Sequence, residues 1–126
     1  MTDNSSATIL VDLSKDRIRI HKKTLHALGD PECILLIVNP GEKTLGIIRG
    51  QLDDKGVHRV RYEKLAHGVC YELYSKPLVR KLREVCPEWK DGCSYRLNGE
   101  FIQGQSIAHF NMKDAVAIKG NQVIQQ

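Results

Sequence analysis

The stretch Ile18-Arg19-Ile20-His21-Lys22-Lys23-Thr24-Leu25-His26-Ala27-Leu28 decides the fold, because a later stretch repeats its plan. That second stretch is Tyr71-Glu72-Leu73-Tyr74-Ser75-Lys76-Pro77-Leu78-Val79-Arg80-Lys81. At an offset of 53 residues (18 to 71), Ile18 falls on Tyr71, Ile20 on Leu73, Lys23 on Lys76 and Leu25 on Leu78. Each begins as an alternating strand, passes a polar step and becomes a short amphipathic helix. Each is followed by a strand–turn–strand pattern, so strand, helix and hairpin occur twice. Two copies are too few for a solenoid. The reading is a pseudo-twofold single domain over residues 1–126, α+β and mostly β. The first repeat covers 7–50, a connection 51–68 and the second repeat 69–118. Two unrelated β-α-β pieces would give the same order of elements.

Working outward, Ala7, Ile9, Val11 and Leu13 alternate with Thr8, Leu10 and Asp12, a half-buried strand after a polar tail at 1–6. Ser14-Lys15-Asp16 turns the chain into Arg17-Ile18-Arg19-Ile20, isoleucines inward and arginines outward. A helix over about 22–28 ends at Gly29, placed for a left-handed cap, and Asp30-Pro31 forbids continuation. Cys33 to Val38 and Thr44 to Arg49 form a hairpin about Asn39-Pro40-Gly41-Glu42-Lys43. Ile34 to Val38 is apolar on both faces and is expected to be a central, fully covered strand. His58 to Tyr62 reads as a connecting strand with Val60 and Tyr62 on one face. In the second copy, Ser75 caps a helix with Pro77 in its first turn. Leu78, Val79, Leu82, Val85 and Cys86 form its apolar stripe, and Pro87 ends it. Tyr95 to Ile102, a turn at Gln103-Gly104-Gln105 and Ile107 to Met112 give a second hairpin. Ala115 to Ile118 adds a last strand.

A composition of 41% hydrophobic and 27% charged residues is ordinary for a globular chain of 126 residues. The longest aliphatic run, Ile34 to Val38, is too short to span a bilayer. The N-terminus has no charged segment followed by an apolar one, so the expectation is a cytoplasmic protein without membrane contact. Cys33, Cys70, Cys86 and Cys93 show no Cys-x-x-Cys spacing and read as small reduced core residues. A zinc site from Cys86, Cys93 and one of His58, His67 or His109 fits no standard spacing. There is no Gly-Lys-Ser/Thr, no Gly-x-Ser-x-Gly and no His-Glu-x-x-His. A Cys70–His67 pair lacks a third, orienting group. The chain reads as a non-enzyme without cofactor or metal.

Net charge is +4, unevenly spread. Residues 51–90 hold nine basic and six acidic side chains, whereas 91–126 hold three of each. Lys76 to Arg83 contains four cations and no acid. Such a patch attracts phosphate, although an ordinary solvated helix face looks the same.

The two copies resemble the swapped-hairpin barrel module of the AbrB family, whose pattern is roughly Gly-Arg-φ-φ-φ-Pro-x-x-φ-Arg-x-x-Leu (φ apolar), then a hairpin. Here the first copy reads Asp16-Arg17-Ile18-Arg19-Ile20-His21-Lys22-Lys23-Thr24-Leu25 and the second Tyr71-Glu72-Leu73-Tyr74-Ser75-Lys76-Pro77-Leu78-Val79-Arg80. The family's proline at the helix start is present only in the second. Tandem copies in one chain resemble the MraZ arrangement, in which one polypeptide supplies both halves. The resemblance implies a barrel-like domain and a double-stranded DNA-binding transcriptional regulator, bacterial or carried on a mobile element. It assigns phosphate and groove contacts to Arg17, Arg19, Lys22 and Lys23, and symmetrically to Lys76, Arg80, Lys81 and Arg83, with Arg59 and Arg61 between. Each of these alone reads first as a solvated surface charge, and the case for contact rests on their recurrence at both copies. The alternative is a non-enzymatic protein-interaction module, a partner-binding or inhibitory small protein anchored by Tyr71, Tyr74, Trp89, Tyr95 or Phe110. A monomeric pseudo-dimer and a homo-oligomer joined through hairpin edges both fit.

Overall fold

The N-terminal alternation becomes strand β1 (Ser6–Asp12), which buries Ala7, Ile9 and Val11 and exposes Thr8. The computed structural model describes residues 6–65, 67–102, 106–119 and 122–123. Asp12 Oδ1 accepts from the amides of Ser14 and Lys15 and from the Ser14 hydroxyl, and this reverses the chain. Strand β2 (Arg17–His21) follows, with Ile18 and Ile20 fully buried. Helix α1 (Lys22–Ala27) begins without a loop, because His21 Nδ1 accepts the Lys23 amide at 3.0 Å and caps it. Gly29 adopts φ 87°, and the Gly29 and Asp30 amides bond back to His26 and Leu25, the expected left-handed stop.

The first hairpin is β3 (Cys33–Asn39) and β4 (Thr44–Arg49), as its Pro-Gly turn requires. Strand β3 is not covered on both faces, contrary to expectation: Leu35, Leu36 and Val38 are half-buried and Ile37 is 52% exposed. The reason is that β5 (His58–Arg59) pairs only with Cys33 and Ile34, while the helices lie against β1 and β2. The expected connecting strand stops at Arg59. Val60 is buried, and Tyr62 opens a single 3₁₀ turn whose phenol donates to the Pro31 carbonyl at 2.6 Å.

Strand β6 (Cys70–Tyr74) leads directly into α2 (Lys76–Val85). Ser75 Oγ accepts the Leu78 amide, and Val79, Leu82, Val85 and Cys86 are buried along the predicted stripe. Trp89 stacks on Tyr95 with ring centroids 4.6 Å apart. The last strands are β7 (Ser94–Ile102), β8 (Ile107–Asn111), β9 (Val116–Lys119) and β10 (Gln122–Val123). The expected turn at 103–105 lies outside the described residues, as does the expected tail apart from Ser6, which opens β1.

The ten described strands form one antiparallel sheet: eight follow the order β5-β3-β4-β8-β7-β1-β2-β6, coiled into a nearly closed, mostly β barrel, and β10 pairs with β9, which pairs with β7. Strand β7 pairs with β1 from Ser94 to Glu100 on one edge. Its other edge is divided between β9 at Ser94–Arg96 and β8 at Gly99–Ile102. The barrel's seam lies between the ends of this order, β6 and β5, where the Tyr71 hydroxyl donates to the Arg59 carbonyl at 3.3 Å. The interior is filled by Ile9, Ile18, Ile20, Leu45, Ile47, Leu97 and Phe110, all fully buried.

Gly99 is required where β7 meets β8, since a Cβ there would overlap the His109 carbonyl and the Phe110 ring. Gly99→Ala should therefore lower unfolding free energy by about 3 kcal/mol, the upper end of overpacking costs. Urea unfolding followed by circular dichroism checks this; a loss under about 0.5 kcal/mol would mean β8 yields freely.

Candidate functional site

Alternation along β2 and β6 puts Arg17, Arg19 and His21 on the outer face, opposite Tyr74, Glu72 and Cys70 respectively. The two arginines predicted to contact phosphate are therefore met by a carboxylate. Glu72 Oε2 accepts from Arg17 Nη1 at 2.9 Å and lies 3.1 Å from Arg19 Nε. Glu72 Oε1 accepts from the Tyr74 hydroxyl at 3.3 Å. Arg17 Nε donates to Asp12 Oδ2 at 3.1 Å, leaving the Arg17 side chain only 15% exposed. Two carboxylates thus neutralise two guanidiniums within the sheet.

Neither Asp12 nor Glu72 was singled out from the sequence, yet a signal existed. At the 53-residue offset Glu72 is the counterpart of Arg19, and antiparallel pairing of the two copies would bring opposite charges face to face. Asp12 feels two opposing influences. Burial pushes its carboxyl up, but the Ser14 hydrogen bond, the Arg17 charge and hydrogen bond, and the Lys15 amide together hold it below the ordinary aspartate value.

The other predicted cations are more open. Lys22 and Lys23 begin α1, Lys76 begins α2, and all are exposed with no ion pair among the described residues. The same holds for Arg61 on the chain leaving β5 and for Arg80 and Lys81 on the outer face of α2. Arg83 is tied to Asp91, and Arg59 stands 3.7 Å from Glu32. Because β2 and β6 are antiparallel, the helix starts sit at opposite ends of their ladder. The Lys22 amide bonds to Val69 O at one end and the Ser75 amide to Asp16 O at the other. At a strand rise of 3.3 Å the two starts are roughly 20 Å apart. The ten predicted residues do not converge on a point.

The aromatic anchors of the alternative reading mostly belong to the interior. Trp89, Tyr95 and Phe110 are buried and Tyr71 is half-buried, whereas Tyr74 is 62% exposed. Cys33, Cys86 and Cys93 are buried; burial, then the neighbouring Glu88 charge, pushes the Cys86 thiol up. Among the described residues no group of three His, Cys, Asp or Glu side chains could hold a metal ion. None of the helices described is long and apolar enough to cross a membrane. No family model, no curated protein and no solved structure matches the chain.

Asp12 links the network to pH. Its folded-state carboxyl is depressed, so its contribution to stability is present above the unfolded value of about 3.9 and is lost as pH falls through the folded value. Urea midpoints of the native chain should drop more steeply below about pH 4 than those of Asp12→Asn. Parallel curves would show that Asp12 does not carry this linkage.

Proposed function

We propose that the chain is a double-stranded DNA-binding regulator of the AbrB/MraZ type, a pseudo-twofold barrel in which one polypeptide supplies both halves. The observation that carries this reading is reciprocal strand pairing. The third residue of β2, Arg19, faces the third residue of β6, Glu72. Likewise the third residue of β4, Gly46, faces the third residue of β8, His109. The Lys22–Val69 and Ser75–Asp16 backbone bonds exchange with one another about the same centre. Exchanging β1–β4 for β5–β8 also carries the strand order onto itself once β6 is taken as the neighbour of β5. The seam then corresponds to the β1–β2 hairpin of the first half, with β5 shortened to two residues.

On this reading the DNA-facing cations are those without carboxylate partners: Lys22 and Lys23 at one helix start, Lys76, Arg80 and Lys81 at the other, and Arg61. Arg17 and Arg19 serve first to join β2 to β6. Cations spaced along a surface suit the phosphate backbone, which positions a protein on a duplex without reading its sequence.

A second reading, a protein-interaction module, is favoured by the open edge of β3. Leu36 to Asn39 have no partner on that side among the described residues, and Ile37 is exposed there. Such an edge can accept a strand from another chain.

Filter binding of duplex DNA across about 50–200 mM salt separates the two readings. Affinity should fall linearly on a log–log plot, and Arg80→Gln/Lys81→Gln should reduce the slope by about 2, close to one per lost phosphate contact. Absence of DNA retention at the lowest salt would overturn the regulator reading.

A further inference from the structure

Toward β1 from Arg19 lies a cleft of about 510 Å³ that the strand pairing itself creates. The β1–β2 ladder ends at Ile9 and Ile20, where the chain turns into α1. The Thr8 amide is taken instead by Thr24 Oγ1 at 3.4 Å, so the helix and strand part around a hollow. Its apolar surface is Leu10, since the neighbouring Ala7 and Ile9 are buried and turn their side chains into the barrel. Its walls are cationic. Leu10 has Arg19 as its neighbour on β2 and Arg96 as its neighbour on β7, and Lys23 reaches in from α1.

No lining residue is acidic. Lys23 and Arg96 make no ion pair among the described residues. Arg19 lies against Glu72 only through Nε, and the buried N–H there finds no acceptor. Glu72, the carboxylate beside it, is already engaged by Arg17 and Tyr74. His21 also lines the cleft; its Nδ1 caps α1, which leaves Nε2 as the free ring nitrogen. Arg19 and Arg96 stand two strand spacings apart, about 10 Å between backbones, so both guanidiniums can reach a group placed above Leu10. Lys23 and Arg96 line the cleft without a carboxylate partner among the described residues, whereas Arg19 shares its charge with Glu72.

We propose that this cleft binds the phosphate monoester group of a small organic molecule, whose apolar portion rests on Leu10. A phosphate monoester carries about −1.5 to −2 at neutral pH and three acceptor oxygens, a closer match to the unpaired Lys23 and Arg96 than a single carboxylate. The volume falls in the range of about 300–1,000 Å³ typical of small-molecule sites. This goes beyond the DNA reading, which rests on helix-start and α2 cations as well.

Cys70 lines the same cleft and is the one half-buried cysteine, the other three being buried, so its alkylation reports occupancy. Adenosine 5′-monophosphate should slow modification of Cys70 by iodoacetamide at least about fivefold, whereas adenosine should not. Lys23→Gln/Arg96→Gln should abolish that protection while leaving the urea midpoint unchanged. If the monophosphate gives no protection, if adenosine protects equally, or if the double variant is protected like the native chain, the proposal is overturned. A DNA duplex in the same assay tests whether a backbone phosphodiester occupies the cleft instead. Protection by the duplex equal to that by the monophosphate assigns the cleft to backbone phosphodiester and overturns the monoester proposal; no protection by the duplex upholds it. The α2 salt slope is read separately, so either idea can fail without the other.

Discussion

Strand β7 has to serve three neighbours with two edges, and the rest of the barrel depends on how it does so. One edge is committed to β1 along seven consecutive residues, which fixes the register of everything beyond β1. The other edge changes partner between Arg96 and Gly99, from β9 to β8. Gly99 sits at the first residue of the β8 ladder, where two backbones approach too closely for any side chain. A slip of one residue in β7 would turn Tyr95 and Leu97 outward and bring Arg96 and Asn98 into the core. Register here is therefore set by burial rather than by hydrogen bonds alone.

The same ladder logic governs the charges. Arginines that point away from a core are ordinarily taken as available, but in a sheet each side chain also has a neighbour across the strand. Glu72 stands opposite Arg19 and diagonal to Arg17, and together with Asp12 it converts the outer face of β2 from a cationic stripe into a neutral network. These pairs are partly exposed, so their contribution to stability is modest. Their larger effect is on where positive potential remains: at the helix starts, along α2 and around Leu10.

Much of the architecture was legible because its signals are local. Pro40-Gly41 marked the first hairpin, Ser75 and Pro77 the start of α2, Gly29 the end of α1, and the spacing of Val79, Leu82 and Val85 the buried face. What was not legible depends on neighbours distant in sequence. Ile37 reads as a core residue in an apolar run, and it is exposed because β5 ends early and the helices lie against β1 and β2 instead. Trp89, Tyr95 and Phe110 have the composition of an interface and are packed inside. The cleft could not be anticipated, because Arg19, Lys23 and Arg96 meet only through the order β7-β1-β2 and the departure of β2 into α1.

A fully closed barrel has no edge, and so no strand that comes away more cheaply than its fellows. This one has a seam, bridged by the Tyr71 hydroxyl rather than by a ladder. Among the described residues strand β6 is held to the sheet along a single side, by β2, and it runs directly into α2. Rupture of that one ladder would detach β6 alone, because α2 is held separately by Val79, Leu82 and Val85 in the core, while the β3–β4–β8–β7–β1 sheet stays paired. The seam therefore makes β6 a strand anchored by one ladder and by the core-bound helix that follows it.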